Sequence, residues 1–411
     1  MLRVRRNEDQ VNVKPILVSR RLTDPPQTDR AFCMNGRPIN ARNGQMTQRS
    51  FLHRFMAALA SSRTAFAIKG CRPFAGAAGE QTDARHYLPL NGLVMADLAR
   101  RHQHHGDGRF RNPFSPATHG SLGRVLRWKF FSTNHFKAQY AAEPHRNVSL
   151  DDTLFRSDAK LQLTFLRHAT LIIKDVDAYI FVDPVFGGLF WFIEDFTPLA
   201  FNPQRLPQPR HILITHGHYD HLDLPSLAIL HPQSNVLTPL GYNAELAALT
   251  HFNRKQLDWY DRHFEDGREF IFLPCNHWTM RRPLVGPNTS LWGSYLIRTK
   301  AGATIYISGD TAYFDGFEQI GAAFDIDLAV FNLGAYEPRW FMAPSHLNPP
   351  ETVAAFQQLG ARHLMIMHWG TFRLGDEPVH APPRDIKTAL AAQHLTDCLI
   401  EARQGQTFPY G

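Results

Sequence analysis

The hydrophobic pattern of this chain changes at Leu161. Beyond it, apolar runs of strand length recur, each closed by polar or turn-forming residues, which predicts short strands joined by loops. Strands are predicted over 161–173, 179–182, 211–215, 270–273, 290–298, 304–308, 328–332 and 363–367. Helical spacing fits 225–230, 243–249, 317–321 and 350–359, the last with Pro350 suited to a first turn and Gly360 to a C-terminal cap. Strands dominate early and helices intervene later, so a layered α/β sandwich is expected rather than a bundle or an all-β barrel.

Positions 1–100 lack this periodicity. They are rich in Arg, Gln, Asn, Pro and small residues and are expected to be disordered, a leader, or an incorrectly extended start, with the folded domain over 101–411. A targeting leader within 46–79 is weakened by Lys69, which interrupts the apolar stretch just before Cys71. The most apolar candidate span, 171–186, is broken by Lys174, Asp175 and Asp177, which argues against a spanning helix. The four cysteines have no paired spacing, so neither a disulfide framework nor a thiolate zinc site is indicated.

Charge adds an asymmetry. Residues 1–150 carry 24 basic and 9 acidic side chains, a net +15, while the 20 basic and 28 acidic residues of the remainder give −8. A basic leading part beside an acidic body suits contact with an anionic surface. Trp128, Phe130, Phe131 and Phe136 are interleaved with that basic charge, but no nucleic-acid-binding motif accompanies them, and no nucleic-acid partner is expected.

The candidate chemistry lies directly after the predicted strand 211–215. His216, His218, Asp220 and His221 fall within six residues of a strand end, where a loop can bring their side chains onto one small volume. Imidazole and carboxylate without thiolate suit zinc, and less selectively iron or manganese. His277, Asp310 and His368 follow later predicted strands. These seven donors suffice for two metal ions: His216, His218 and His277 on one, Asp220, His221 and His368 on the other, with Asp310 between them and positions left open for a shared hydroxide. Asp220 would orient that hydroxide, and Asp183 and Asp223 are candidate acceptors for ligand imidazole N–H groups.

The pattern HxHxDH, a distant His, a Gly-Asp pair and a last His resembles the metallo-β-lactamase superfamily. Within it, the chain resembles the N-acyl-phosphatidylethanolamine-hydrolysing phospholipase D family over about 108–383. The matching runs are RHAT from Arg167, VDPVF from Val182, HGHYDHLD from His216, HW from His277, LWGS from Leu291, SGDTAY from Ser308, GAYEPRWFM from Gly334 and HWGTF from His368. The resemblance implies a four-layer αββα sandwich, two zinc ions, and hydrolysis of an N-acyl-phosphatidylethanolamine-like phospholipid to N-acylethanolamine and phosphatidic acid. It makes Asp220, Asp310 and His346 catalytic candidates, with Tyr219 and His346 touching the substrate head group, and suggests a homodimer. The chain departs from the family at Arg167, where Gly is usual, at Gly217, where Asn is common, and in its own Phe/Trp-rich text over 187–202.

A lipid substrate needs access from a bilayer. Phe186, Leu189, Phe190, Trp191, Phe192, Phe196 and Phe201 could form an interfacial loop beside the basic N-terminal part, which would make the protein cytoplasmic and peripherally membrane-associated, with export as the alternative. Core packing explains the same aromatics equally well. The competing functions are a di-metal hydrolase of a lactone or non-lipid phosphodiester, and a non-enzymatic binding protein that keeps the fold; the complete donor set argues against the latter.

Overall fold

The computed structural model describes residues 86–116, 121–249 and 252–411. The targeting leader considered over 46–79, with Cys71, lies outside these residues.

Two seven-stranded sheets form the centre. The first contains β1 (Leu161–Arg167), β2 (Thr170–Asp175), β3 (Ala178–Val182), β4 (His211–Leu213), β5 (Asn235–Pro239) and β6 (Asn253–Leu257), with β14 (Gln406–Pro409) beside β1. The second runs from β7 (Arg262–Glu265) through β8 (Arg268–Leu273), β9 (Ser294–Arg298), β10 (Thr304–Ile307), β11 (Leu328–Asn332) and β12 (His363–Met367) to β13 (Leu399–Ile400). Each sheet is antiparallel on one side and parallel on the other: β3 to β6 are parallel, as are β10 to β13.

The central strands are apolar on both faces because both faces are covered, whereas the edge strands β6 and β7 are largely polar. In the first sheet, Leu171, Ile173, Ile180, Val182, Leu213 and Leu237 enter the core shared with Phe270, Phe272 and Ile307 of the second. Their alternate neighbours Ile172, Phe181, Ile212 and Val236 pack outward against Leu222 and Leu227, the latter in α4 (Leu224–Ala228). The second sheet is backed by α5 (Gly316–Ala323), α7 (Pro349–Leu359) and α8 (Pro382–Ala391), with α7 packed against both of the others. This is the expected αββα sandwich of the metallo-β-lactamase fold.

Several boundaries differ from expectation. The predicted strand 161–173 is a hairpin of β1 and β2, because His168 takes φ +45° and turns the chain without any Gly, Pro or Asn to signal it. Residues 243–249 form turns rather than a helix. The folded part also begins before the expected residue 101. Leu90, Leu98 and Met95, the last two on α1 (Met95–Arg100), are buried in the main core, so hydrophobic burial recruits this stretch into the domain. Two short helices, α2 (Leu122–Phe131) and α3 (Thr153–Arg156), precede β1, and α6 (Arg339–Met342) precedes α7. No helix among the described residues is long and apolar enough to cross a membrane.

Candidate metal centre

The loops that leave β1, β4, β8, β10 and β12 converge at one end of the sandwich, where strand ends of both sheets deliver His168, the His216–His221 loop, His277, Asp310 and His368. All seven residues expected to hold metal are brought together there. His216 Nε2, His218 Nδ1 and His277 Nε2 form one group, with 2.9 Å from His216 to His218 and 3.3 Å from His277 to His218. His221 Nε2 and His368 Nε2 stand 3.2 Å apart, with Asp220 Oδ2 at 3.6 and 3.4 Å from them. Asp310 lies between: its Oδ2 is 3.3 Å from His221 and 3.9 Å from both His216 and His277, and its Oδ1 is 3.3 Å from His368.

The orientation of two of these rings is set from outside the cluster. His277 Nδ1 faces the carbonyl of Ser345 at 3.0 Å and must carry the proton, so its Nε2 presents a bare lone pair to His218. His221 Nδ1 is held in the same way by Asp183 Oδ2 at 2.8 Å, leaving Nε2 turned towards His368 and Asp310. The ring nitrogens turned inward in this buried space are placed to share a cation. Bonds of about 2.0–2.1 Å to a tetrahedral ion give donor separations of about 3.3 Å, and the separations here, from 2.9 to 3.9 Å, bracket that value. The protonation states agree. Burial pushes His216 and His277 well below the ordinary imidazole range and His218 down to about 4. Burial alone would raise Asp220 and Asp310, but the surrounding imidazoles hold both carboxyls well below their ordinary value. His216, His218 and His277 are thus neutral and both carboxyls ionised, as a divalent metal needs, while Asp310 and Asp220 keep His221 protonated until a cation replaces its charge.

The chain matches the model of the beta-lactamase superfamily domain over residues 178–369. It is 32% identical over 262 residues to N-acyl-phosphatidylethanolamine-hydrolyzing phospholipase D 1 of Caenorhabditis elegans, a match covering 59% of this chain and 72% of that one. It belongs to the N-acyl-phosphatidylethanolamine-hydrolysing phospholipase D family, and so to the metal-dependent hydrolases of the metallo-β-lactamase superfamily. A metal-dependent hydrolase of Pyrobaculum aerophilum is 26% identical over 235 residues, covering 56% of this chain and 92% of that one. Among solved structures, an isothiocyanate hydrolase from Delia radicum gut bacteria shares the fold at 18% identity and a TM-score of 0.50, covering 61% of this chain and 99% of the other.

The metal centre is built here with particular supports. His346, a substrate-side candidate, places Nδ1 3.9 Å from Asp310 Oδ2, and burial lowers it to about 4, so it is a neutral imidazole. It sits between α6 and α7. Arg339 donates to its carbonyl at 3.0 Å and reaches both Glu351 oxygens at 2.9 and 2.7 Å, while Asn348 and Glu351 cap α7 reciprocally, fixing the chain just beyond His346. Tyr219 borders the metal loop, but its hydroxyl donates to the Arg281 carbonyl at 2.9 Å and its ring lies under the Arg281 guanidinium at 4.1 Å; what it turns outward is its contact with Phe190. Asp183 orients His221, as expected, whereas Asp223 caps α4 through Ser226 and takes its hydrogen bond there instead of on an imidazole.

Two positioning groups were missed from the sequence. His168 joins the Asp220, His221 and His368 group, with Nε2 3.0 Å from Asp220 Oδ2. Its signal was present, since it stands in the RHAT run. Asn332 Nδ2 donates to Asp310 Oδ1 at 2.8 Å from the end of β11, and nothing local to Asn332 pointed to that role.

The departures from the family have physical reasons. A Cβ at Gly217 would meet the Tyr242 ring at 2.7 Å and the Thr279 hydroxyl at 2.9 Å, so the packing of these two side chains excludes Asn there. Arg167 is fully buried and donates to the Phe186 carbonyl at 3.0 Å and to Asp195 Oδ1 at 2.7 Å, tying the start and the middle of the Phe/Trp-rich segment to β1. That segment divides: Phe186, Leu189 and Phe196 are buried, while Trp191 is 83% and Phe192 55% exposed.

Proposed function

We propose that this protein is a zinc-dependent phosphodiesterase of the phospholipase D type, holding two ions and hydrolysing N-acyl-phosphatidylethanolamine-like phospholipids to N-acylethanolamine and phosphatidic acid. The observation that carries this reading is the joining of a complete donor set to exposed aromatics: Phe190, Tyr219 and Leu189 pack in one cluster, with Trp191 and Phe192 projecting beside it. Family membership supports the substrate class.

When bound, the two ions would acidify a water between them and neutralise charge building on the phosphoryl oxygens. Asp310 would hold both ion positions in register, with Asn332 fixing its carboxylate. Asp220, steadied by His168, would orient the attacking water. His346 would present its neutral ring to a phosphoryl oxygen. Water adds to phosphorus, the bond from phosphorus to the ethanolamine oxygen breaks, and that oxygen leaves with a proton as N-acylethanolamine.

Peripheral contact with an anionic bilayer belongs to the same proposal. Phe130 and Phe131 of α2 are exposed, as are Trp191 and Phe192, and α2 also carries Arg124, Arg127 and Lys129. Leu374 packs against both the Trp128–Phe341 cluster under α2 and the cluster under the aromatic loop, so the two exposed aromatic sets are neighbours. Apolar rings edged by basic side chains suit insertion at a charged lipid surface.

The test is release of N-acylethanolamine from N-acyl-phosphatidylethanolamine vesicles by zinc-loaded protein, beside Asp310→Asn and a soluble phosphodiester. Lipid cleavage that Asp310→Asn abolishes supports the proposal. Metal-dependent turnover of the soluble ester with none of the lipid leaves a di-metal hydrolase and removes the phospholipase.

A further inference from the structure

A second imidazole cluster shares no residue with the metal centre. It joins the turn that follows α1 to Asp258, which lies between the edge strands β6 and β7. We infer that His102 Nδ1, His105 Nε2 and Asp258 Oδ2 form a separate site for one divalent cation of the zinc class, pinning the segment ahead of the sandwich to the sheet edges.

The argument begins with His104. Its ring is fully buried and stacks on Trp259 at 4.2 Å, and its Nε2 stands 2.6 Å from Asp258 Oδ1. The Trp259 amide donates to the same oxygen at 2.7 Å. Oδ1 is thereby saturated, and the carboxylate is oriented so that Oδ2 faces outward. Such support is how proteins hold a ligating carboxylate in place.

Two imidazoles meet that oxygen, His105 Nε2 at 2.8 Å and His102 Nδ1 at 3.4 Å, and the three donor atoms lie within 4.8 Å of one another. A hydrogen bond accounts for His105 but leaves His102 unexplained. His102 is held at φ +50° by a turn in which His105 N donates to its carbonyl at 2.9 Å, and that conformation turns both rings to the same side. Donor separations around a tetrahedral ion with bonds of about 2.0–2.1 Å would be about 3.3 Å, within reach of small ring movements. Side-chain exposure rises outward, from 13% at Asp258 through 35% at His105 to 64% at His102, so the remaining coordination position faces solvent. Two neutral imidazoles and one carboxylate suit zinc, and also nickel or copper, over calcium or magnesium. An ion there would close a loop between residues 105 and 258, stabilising the attachment of α1.

The experiment counts ions per chain in full-length protein dialysed against micromolar free zinc, comparing the parent with His102→Ala and with His102→Ala/His105→Ala. The double variant is expected to hold one ion fewer than the parent, and the parent to gain more thermal stability than the variant as free zinc is raised from nanomolar to micromolar. Equal counts, with equal zinc-dependent shifts, would overturn the inference. Should the double variant not fold, His102→Ala removes only an exposed ring and the same count decides. Ions at the metal centre cancel in the comparison, so the result is independent of the phospholipase reading.

Discussion

Asp183 Oδ2 accepts from Nδ1 of His221 at 2.8 Å, and neither side chain is exposed to solvent. The same carboxylate takes the Thr215 amide at 2.8 Å and the Thr215 hydroxyl at 2.6 Å, so its position is set by the chain that leads directly into the metal loop. Asp183→Asn cannot supply all these acceptors and leaves His221 free to change tautomer. Zinc affinity is expected to fall about 10- to 100-fold, read by competition with a chromogenic chelator; unchanged affinity would mean that His221 is held by its other neighbours.

Metal uptake should release protons. Burial alone would strip His221 of its proton, yet Asp310 and Asp220 hold it well above the ordinary imidazole range, so without a cation it supplies the positive charge the carboxylates demand. Loading at neutral pH should displace about one proton per chain. Zinc titrations in buffers of different ionisation enthalpy measure this, and heats independent of buffer would refute it.

Arg167 should govern the aromatic segment without touching the metals. Arg167→Met removes the bonds to Phe186 and Asp195 but keeps apolar volume. Because Asp195 is partly exposed and can be rehydrated, the loss is set at about 1–3 kcal/mol of stability rather than that of a broken fully buried pair. Amide exchange over 186–202 should quicken while metal content stays constant; unaltered exchange would show that packing alone holds the segment.

Glu377 gives the fold a pH dependence. It is buried behind the run that starts at Gly334 and accepts from the amides of Tyr336 and Glu337 at 3.2 and 3.0 Å, and burial raises it from 4.5 to about 7. The folded state therefore favours the protonated acid: this group's stability is complete below about 4.5 and is lost as pH rises through about 7. A shift of this size corresponds to about 3 kcal/mol. Denaturant unfolding of Glu377→Gln against the parent should show the stability difference moving by about that amount in the variant's favour between pH 4.5 and 8, whereas a constant difference would contradict the assignment.

What the sequence by itself determined was the fold class and which residues could meet. Strand ends place side chains at predictable sites, and the spacing of His216, His218, Asp220 and His221 is a local property of one loop. His277, Asp310 and His368 were legible for the same reason, each closing an apolar run. The hairpin at His168 was not, because no Gly, Pro or Asn marks it and the turn is imposed by the pairing of β1 with β2. Only the tertiary structure decided which nitrogen His221 and His277 turn inward, since that depends on Asp183 and the Ser345 carbonyl, partners far along the chain from the rings they orient. It also decided which aromatics are buried, and that His102 and His105 meet Asp258. Burial and long-range hydrogen bonds come into being only when the sheets stack, so no window of sequence contains them.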